Sequence, residues 1–184
     1  EVGDVILMTK YAGIEGTGII IGDFERKCRE VLSDDEIRQG RLLLDRVSVV
    51  EEGIIIGREG FCKMHDVTEG GVLGAVWETC SLIGLGCTVK EKSIPVLEIT
   101  EKISRIFKID CLRLISSGSM LVVAKREKAD VISEKLRARG ILCTEIGSIT
   151  EGTKGMKIER ENGDLEKIEP PEKDEIYKVI HKEI

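Results

Sequence analysis

The chain has 184 residues, 34 acidic and 28 basic side chains giving a net charge of −6, and a hydrophobic fraction of 41%. That is enough length for one domain with a sizeable core, while the mixed charge argues against nucleic acid or an acidic membrane surface as partner. No run of about 18 apolar residues exists to span a bilayer. No secretory leader opens the chain, which predicts a cytoplasmic protein.

Aromatic residues make up only 3%, so the core must come from Ile, Leu and Val, and 20 glycines imply many special turns. The six cysteines, at 28, 62, 80, 87, 111 and 143, lack any Cys-x-x-Cys pair, and there are two histidines. That pattern predicts reduced thiols and no metal site.

In chain order, Asp4 to Thr9 reads as a strand and Gly13 to Phe24 as a helix with close neighbours. Ser33-Asp34-Asp35-Glu36 is a capping-box signature opening a helix with Ile37 and Leu42 to Leu44 on its apolar face. Val49 to Arg58 has helical spacing, with Gly57 and Gly60 at its end. Cys62 to Asp66 is a short strand, followed by a helix from about Gly70 to Leu82 whose one side carries Val72, Ala75, Val76 and Thr79. Trp77 is placed for core or interface. Gly86 to Lys90 is a strand, and Pro95 marks the start of a helix running to Phe107. Ser119 to Ala124 is a strand, Glu127 to Arg139 an amphipathic helix closed by Gly140, and Ile141 to Thr150 a strand broken at Gly147. Asn162-Gly163 joins Met156 to Arg160 and Leu165 to Ile168 as a hairpin, and Glu172 to Ile184 is a helix after Pro170-Pro171. The alternation defines an α/β (α+β) fold, a mixed β-sheet covered by helices with some ferredoxin-like character.

The stretch Met64-His65-Asp66-Val67-Thr68-Glu69-Gly70-Gly71 carries the functional expectation. Asp66 and Thr68 can cap the helix, and Gly70 and Gly71 leave its first amide groups open to a phosphate or carboxylate. The same residues also describe any tight turn entering a buried helix. His65 could face a phosphate or be a satisfied structural side chain. Ser117 and Gly118 offer a hydroxyl and backbone donors, or simply make a turn. No nucleophile, P-loop or dinucleotide fingerprint is present.

The Asp-x-Thr-x-Gly-Gly pattern on this strand-to-helix turn, followed by a small-residue helix carrying Glu78, resembles the carboxy-terminal domain of the aminoimidazole ribonucleotide synthetase superfamily. Gly3 to Lys10, Ile94-Pro95-Val96, Ser116 to Leu121 and Ile146 to Thr150 fall in that family's order and at roughly its spacing. The hydrogenase expression/formation proteins and unassigned relatives look most similar. The resemblance covers residues 3 to 150 and implies a domain over residues 1–152, with residues 153–184 packed on it or appended to it. It also implies a preceding ATP-binding domain absent from this chain.

By resemblance, the full-length relative is an ATP-dependent ligase, dehydratase or kinase-type enzyme using ATP and magnesium. It performs phosphoryl transfer onto a small molecule or a protein tail in an interdomain cleft, with homodimer formation open. The cleft residues implied here are His65, Asp66, Thr68, Gly70, Gly71, Ser117 and Gly118, and the chain alone would be inactive. The alternative is a stand-alone phosphate-ligand binding or regulatory module. The chain ends His-Lys-Glu-Ile, without the terminal cysteine of the hydrogenase-maturation branch.

Overall fold

The computed structural model describes residues 1–60 and 62–183. Its elements are β1 (Val5–Thr9), α1 (Ile14–Asp23), α2 (Glu25–Cys28), α3 (Asp34–Arg41), α4 (Val50–Gly57), β2 (Lys63–Val67), α5 (Gly71–Ile83) and β3 (Gly86–Lys90). Then come α6 (Glu98–Phe107), β4 (Ser119–Ala124), α7 (Arg126–Arg137), β5 (Cys143–Thr150), β6 (Met156–Glu159), β7 (Leu165–Lys167) and α8 (Ile176–Glu183). The strands form one mixed sheet in the order β2-β4-β1-β5-β3-β6-β7. All its pairs are antiparallel except β3 with β6.

Alternation along β1 divides the interior. Ile6 and Met8 join Leu121, Val123 and Val67 under the apolar side of α5, built from Val72, Leu73, Val76 and Cys80. Val5 and Leu7 point the other way, with Met120 and Val122, onto Ile56 of α4 and Ala129, Ile132 and Leu136 of α7. This is the period-2 pattern of a strand buried on both faces. A third cluster lies between helices, where Ile20 and Ile21 of α1 meet Ile37, Ile103, Phe107, Ile176 and Val179. All six cysteines are free, with Cys28, Cys80 and Cys87 buried.

Two boundaries differ from the sequence pattern for tertiary reasons. The helix expected at Pro95 begins at Glu98, because the Pro95 carbonyl accepts the Ala12 amide at 2.8 Å and Val96 bridges Ala12 in extended form. The final helix expected from Glu172 begins at Ile176; the residues before it lie across α5, as described below, and Ile184 is outside the described residues. Gly147 does mark an irregularity: the register of β5 on β1 shifts between Ile6 and Leu7, which pair with Gly147 and Glu145. The extra residue, Ile146, is buried, as in a β-bulge.

The capping box of α3 is formed in full. The Glu36 amide donates to Ser33 Oγ, and the Ser33 amide donates to Glu36 Oε2 at 2.8 Å. Glu36 also accepts from Lys102 Nζ at 2.6 Å. Lys102, the Ser33 amide and the Ser33 hydroxyl hold the Glu36 carboxyl down at about 2, against an ordinary 4.5. A depressed carboxyl stabilises the fold above its unfolded value. Its contribution is therefore complete above about pH 4.5 and lost as the pH falls toward about 2. Carboxyl NMR should show Glu36 titrating near that lower value, and Lys102→Met should move the midpoint upward.

Candidate functional site at the end of the β2–α5 unit

Strand β2 lies at one edge of the sheet and runs directly into α5. Its register on β4 sets Val67 opposite Ser119, so Thr68 to Gly71 and Ser117-Gly118 leave the sheet at the same end. The carboxylate of Asp66 is largely exposed, and Thr68 is exposed.

His65 is held from both sides of its ring. Nδ1 lies 2.6 Å from the Asp66 carbonyl oxygen, and Nε2 lies 2.9 Å from Glu78 Oε2 on α5, with the His65 side chain 25% exposed. The two contacts fix the orientation of the ring beside the loop. Glu78 was legible only as a helix-face acid; its role as the partner of His65 requires the packing of α5 on β2.

The start of α5 corrects one expectation. Asp66 and Thr68 do not cap the helix through their side chains: the N-cap is Gly70, in the left-handed region at φ 79°, with no side-chain cap. Thr68 contributes its carbonyl instead, accepting the Gly71 amide at 3.1 Å. Asp66 remains in the strand, its carboxylate largely exposed and 3.8 Å from His65 Nδ1. The Gly70 amide is taken by Asp174, whose Oδ2 accepts it at 2.8 Å while Oδ1 accepts the Ile176 amide at 2.9 Å. Burial pushes the Asp174 carboxyl above the usual carboxylate range, against the pull of the Ile176, Gly70 and Ile115 amides. Sequence gave no signal for this contact, because 104 residues separate its partners.

The glycines have packing reasons of their own. A methyl group at Gly71, which has φ 61°, would lie 2.6 Å from the Leu112 carbonyl oxygen and 2.8 Å from that of Leu114. One at Gly70 would lie 2.7 Å from Pro171 Cβ. At Gly71 backbone meets backbone, and only glycine fits.

Ser117 and Gly118 form a turn bound to α1. The Ser117 amide donates to Glu15 Oε2 at 3.2 Å. Gly118, at φ 103°, sits against the Arg46 carbonyl and Val47, with 2.5 and 2.9 Å to where a Cβ would lie. Beside it, Ser116 Oγ accepts the Gly13 amide at 2.8 Å and Ser119 Oγ donates to the Tyr11 carbonyl at 2.6 Å. Lys10, left-handed at φ 53°, reaches buried Glu52 at 2.7 Å and donates to the Ser48 carbonyl at 2.7 Å. Nothing in the local sequence announces this ion pair. Among the described residues, no three Cys, His, Asp or Glu side chains converge to hold a metal, and no helix is long and apolar enough to cross a membrane.

A seven-stranded mixed sheet with this order, and a glycine-rich strand-to-helix turn at one edge, defines the architecture of a known class of domains. Residues 1–158 match the family model described as AIR synthase related protein, C-terminal domain, and the chain belongs to that family. It is similar to a putative hydrogenase expression/formation protein of Methanocaldococcus jannaschii, 29% identical over 163 residues, covering 85% of this chain and 45% of that protein. It is also similar to the carbamoyl dehydratase HypE of Rhodobacter capsulatus, 23% identical over 137 residues, which are 74% of this chain and 38% of that one. Among solved structures, Escherichia coli HypE superimposes with a TM-score of 0.77 at 19% identity, over 97% of this chain and 53% of that one. A HypE crystallised with ATP gives 0.69 at 20% identity, over 96% and 53%. The chain thus spans about half the length of the relatives it matches.

Gly71→Ala tests the structural demand at the turn. Left-handed backbone costs a non-glycine residue about 1 kcal/mol, and a methyl group forced onto two carbonyl oxygens adds more. A loss of about 2–4 kcal/mol in urea unfolding is expected; a loss below about 1 kcal/mol would mean the close approach does not exist.

Proposed function

We propose that this chain is the carboxy-terminal half of an ATP-dependent enzyme of the family, hydrogenase-maturation-like or an unassigned relative. In this reading the β2–α5 end contributes phosphate-binding donors to a cleft completed by an amino-terminal ATP-binding domain. The observation that carries the reading is the local chemistry: a backbone amide of the α5 N-terminus already grips an anion, the Asp174 carboxylate, beside a doubly held histidine. A helix end and an oriented imidazole are groups that can stabilise transferring phosphoryl charge by position rather than by covalent chemistry. His65, Gly70 and Gly71 form the centre of the proposed site, Asp66 and Thr68 its exposed lip, and Ser117 and Gly118 its neighbouring turn at the same sheet end.

By the family resemblance, the cation that accompanies ATP is assigned to the other half. When bound, ATP would supply the phosphoryl group; this chain's part is to hold and orient its oxygens.

A surface feature supports the missing partner. Leu42, Leu44, Val47, Val50, Ile54 and Met64 all stand exposed, Val50 at 66%. Val47 stands beside Gly118, and Met64 precedes His65 in β2. Apolar surface of this kind marks an interface, and an inter-domain contact closing over it would also close over the site.

Two measurements test the reading. The 184 residues alone should show no ATP hydrolysis, and amide NMR at millimolar inorganic phosphate should move His65, Gly70 and Gly71 before any other group. Turnover by the isolated chain would overturn the half-enzyme reading. Shifts confined to another surface would overturn the site.

A further inference from the structure

Two of the six cysteines meet inside the core. Cys80 in the last turns of α5 and Cys87 in β3 are each 1% exposed and share the cluster under α5. The connection between them folds back tightly: Gly84 caps the helix in the left-handed region at φ 66°, and the Leu85 amide donates to the Cys80 carbonyl at 3.2 Å. The Cys87 amide donates to the Gly155 carbonyl at 3.1 Å, which fixes the start of β3. Within this frame the Cys80 thiol donates its hydrogen to the Cys87 sulfur.

The two sulfurs are not equivalent. The Cys80 S–H and the Lys157 amide both face the Cys87 sulfur and hold that thiol below its ordinary value, although burial opposes them. Cys80 moves the other way, raised by its contact with Cys87 and by burial. Cys28, Cys62, Cys111 and Cys143 are raised as well, chiefly by burial. Cys87 is thus the one thiol of the six whose surroundings favour the thiolate, the nucleophilic form, and a second thiol already touches it. No third Cys, His, Asp or Glu joins the two among the described residues, which leaves the pair short of a tetrahedral metal set.

We propose that Cys87 and Cys80 are a redox pair, oxidised by a small peroxide to an intrachain disulfide that staples the end of α5 to β3. The Cys87 thiolate attacks a peroxide oxygen; the O–O bond breaks, Cys87 becomes a sulfenic acid, and the departing hydroxide takes up the proton Cys87 released and leaves as water. The Cys80 sulfur then displaces the sulfenic hydroxyl, and its proton leaves with that hydroxyl as a second water. One hydrogen peroxide and two thiols give one disulfide and two waters. Sulfurs that share a hydrogen need only a short closing movement to reach the bond length of about 2.05 Å. Burial selects the oxidant, because a water-sized peroxide reaches a packed pair that a bulky disulfide does not. The inference is independent of the phosphate-site reading.

The reduced chain treated with hydrogen peroxide, alkylated under denaturing conditions and mapped by peptide mass spectrometry tests the pair. A linked Cys80–Cys87 peptide is expected, with two hydrogens lost from the intact mass and restored by dithiothreitol. The thermal midpoint should rise by about 5–10 °C on oxidation, the effect of cross-linking a short loop in a domain of this size. In Cys80→Ala a dimedone probe should trap a sulfenic acid at Cys87, whereas Cys87→Ala should leave Cys80 unlabelled. Oxidation of other cysteines while Cys80 and Cys87 remain alkylatable, or a linkage that forms only in urea-unfolded protein, would overturn the pair. Labelling of Cys80 in Cys87→Ala, with none of Cys87 in Cys80→Ala, would overturn the assignment of the nucleophile. The wild-type mapping decides the pair whether or not either variant folds.

Discussion

Strand β1 is hydrogen-bonded along both edges and buried on both faces, and the other layers take their places relative to it. Its first four residues divide alternately between the core under α5 and the core under α4 and α7. A one-residue slip would exchange the two sets, and with them the positions of β4, β2 and the turn into α5. The β-bulge opposite Ile6 and Leu7 fixes the register on the β5 side, while β4 fixes it on the other. The functional end is thus referred back to this strand: β1 sets β4, β4 sets β2, and β2 delivers His65 and the glycine turn.

At that end, close approach of backbones dominates over side-chain chemistry. Gly71 lies against the carbonyls of Leu112 and Leu114, which brings the 112–115 segment and the Ile115 amide up to the α5 N-terminus. The segment before α8 then supplies the Asp174 carboxylate to the same place. Desolvating Asp174 is unfavourable, and its short contacts to the Gly70 and Ile176 amides offset that cost.

The apolar stripe from Leu42 to Met64 belongs to the same economy of surface. Val47 of this set stands beside Gly118, and Met64 adjoins His65 in β2.

Residue patterns by themselves determined most of the elements. The helix near Gly13 to Phe24, the capping box at Ser33 to Glu36, the strand Ser119 to Ala124, the Asn162-Gly163 hairpin and the mixed α/β class were all readable, because period, caps and turn dipeptides are local physics. The ordered motifs also carried the family. What only the tertiary structure decided involves partners far apart in the chain. The Asp174 carboxylate, and not the side chain of Asp66 or Thr68, meets the amide of Gly70, the N-cap of α5; Pro95 pairs with Ala12 and so does not open a helix; Glu78 contacts His65; Lys10 reaches Glu52. None of these leaves a periodic or local signature, since a hydrogen bond between residues 104 apart depends on where two whole segments come to rest.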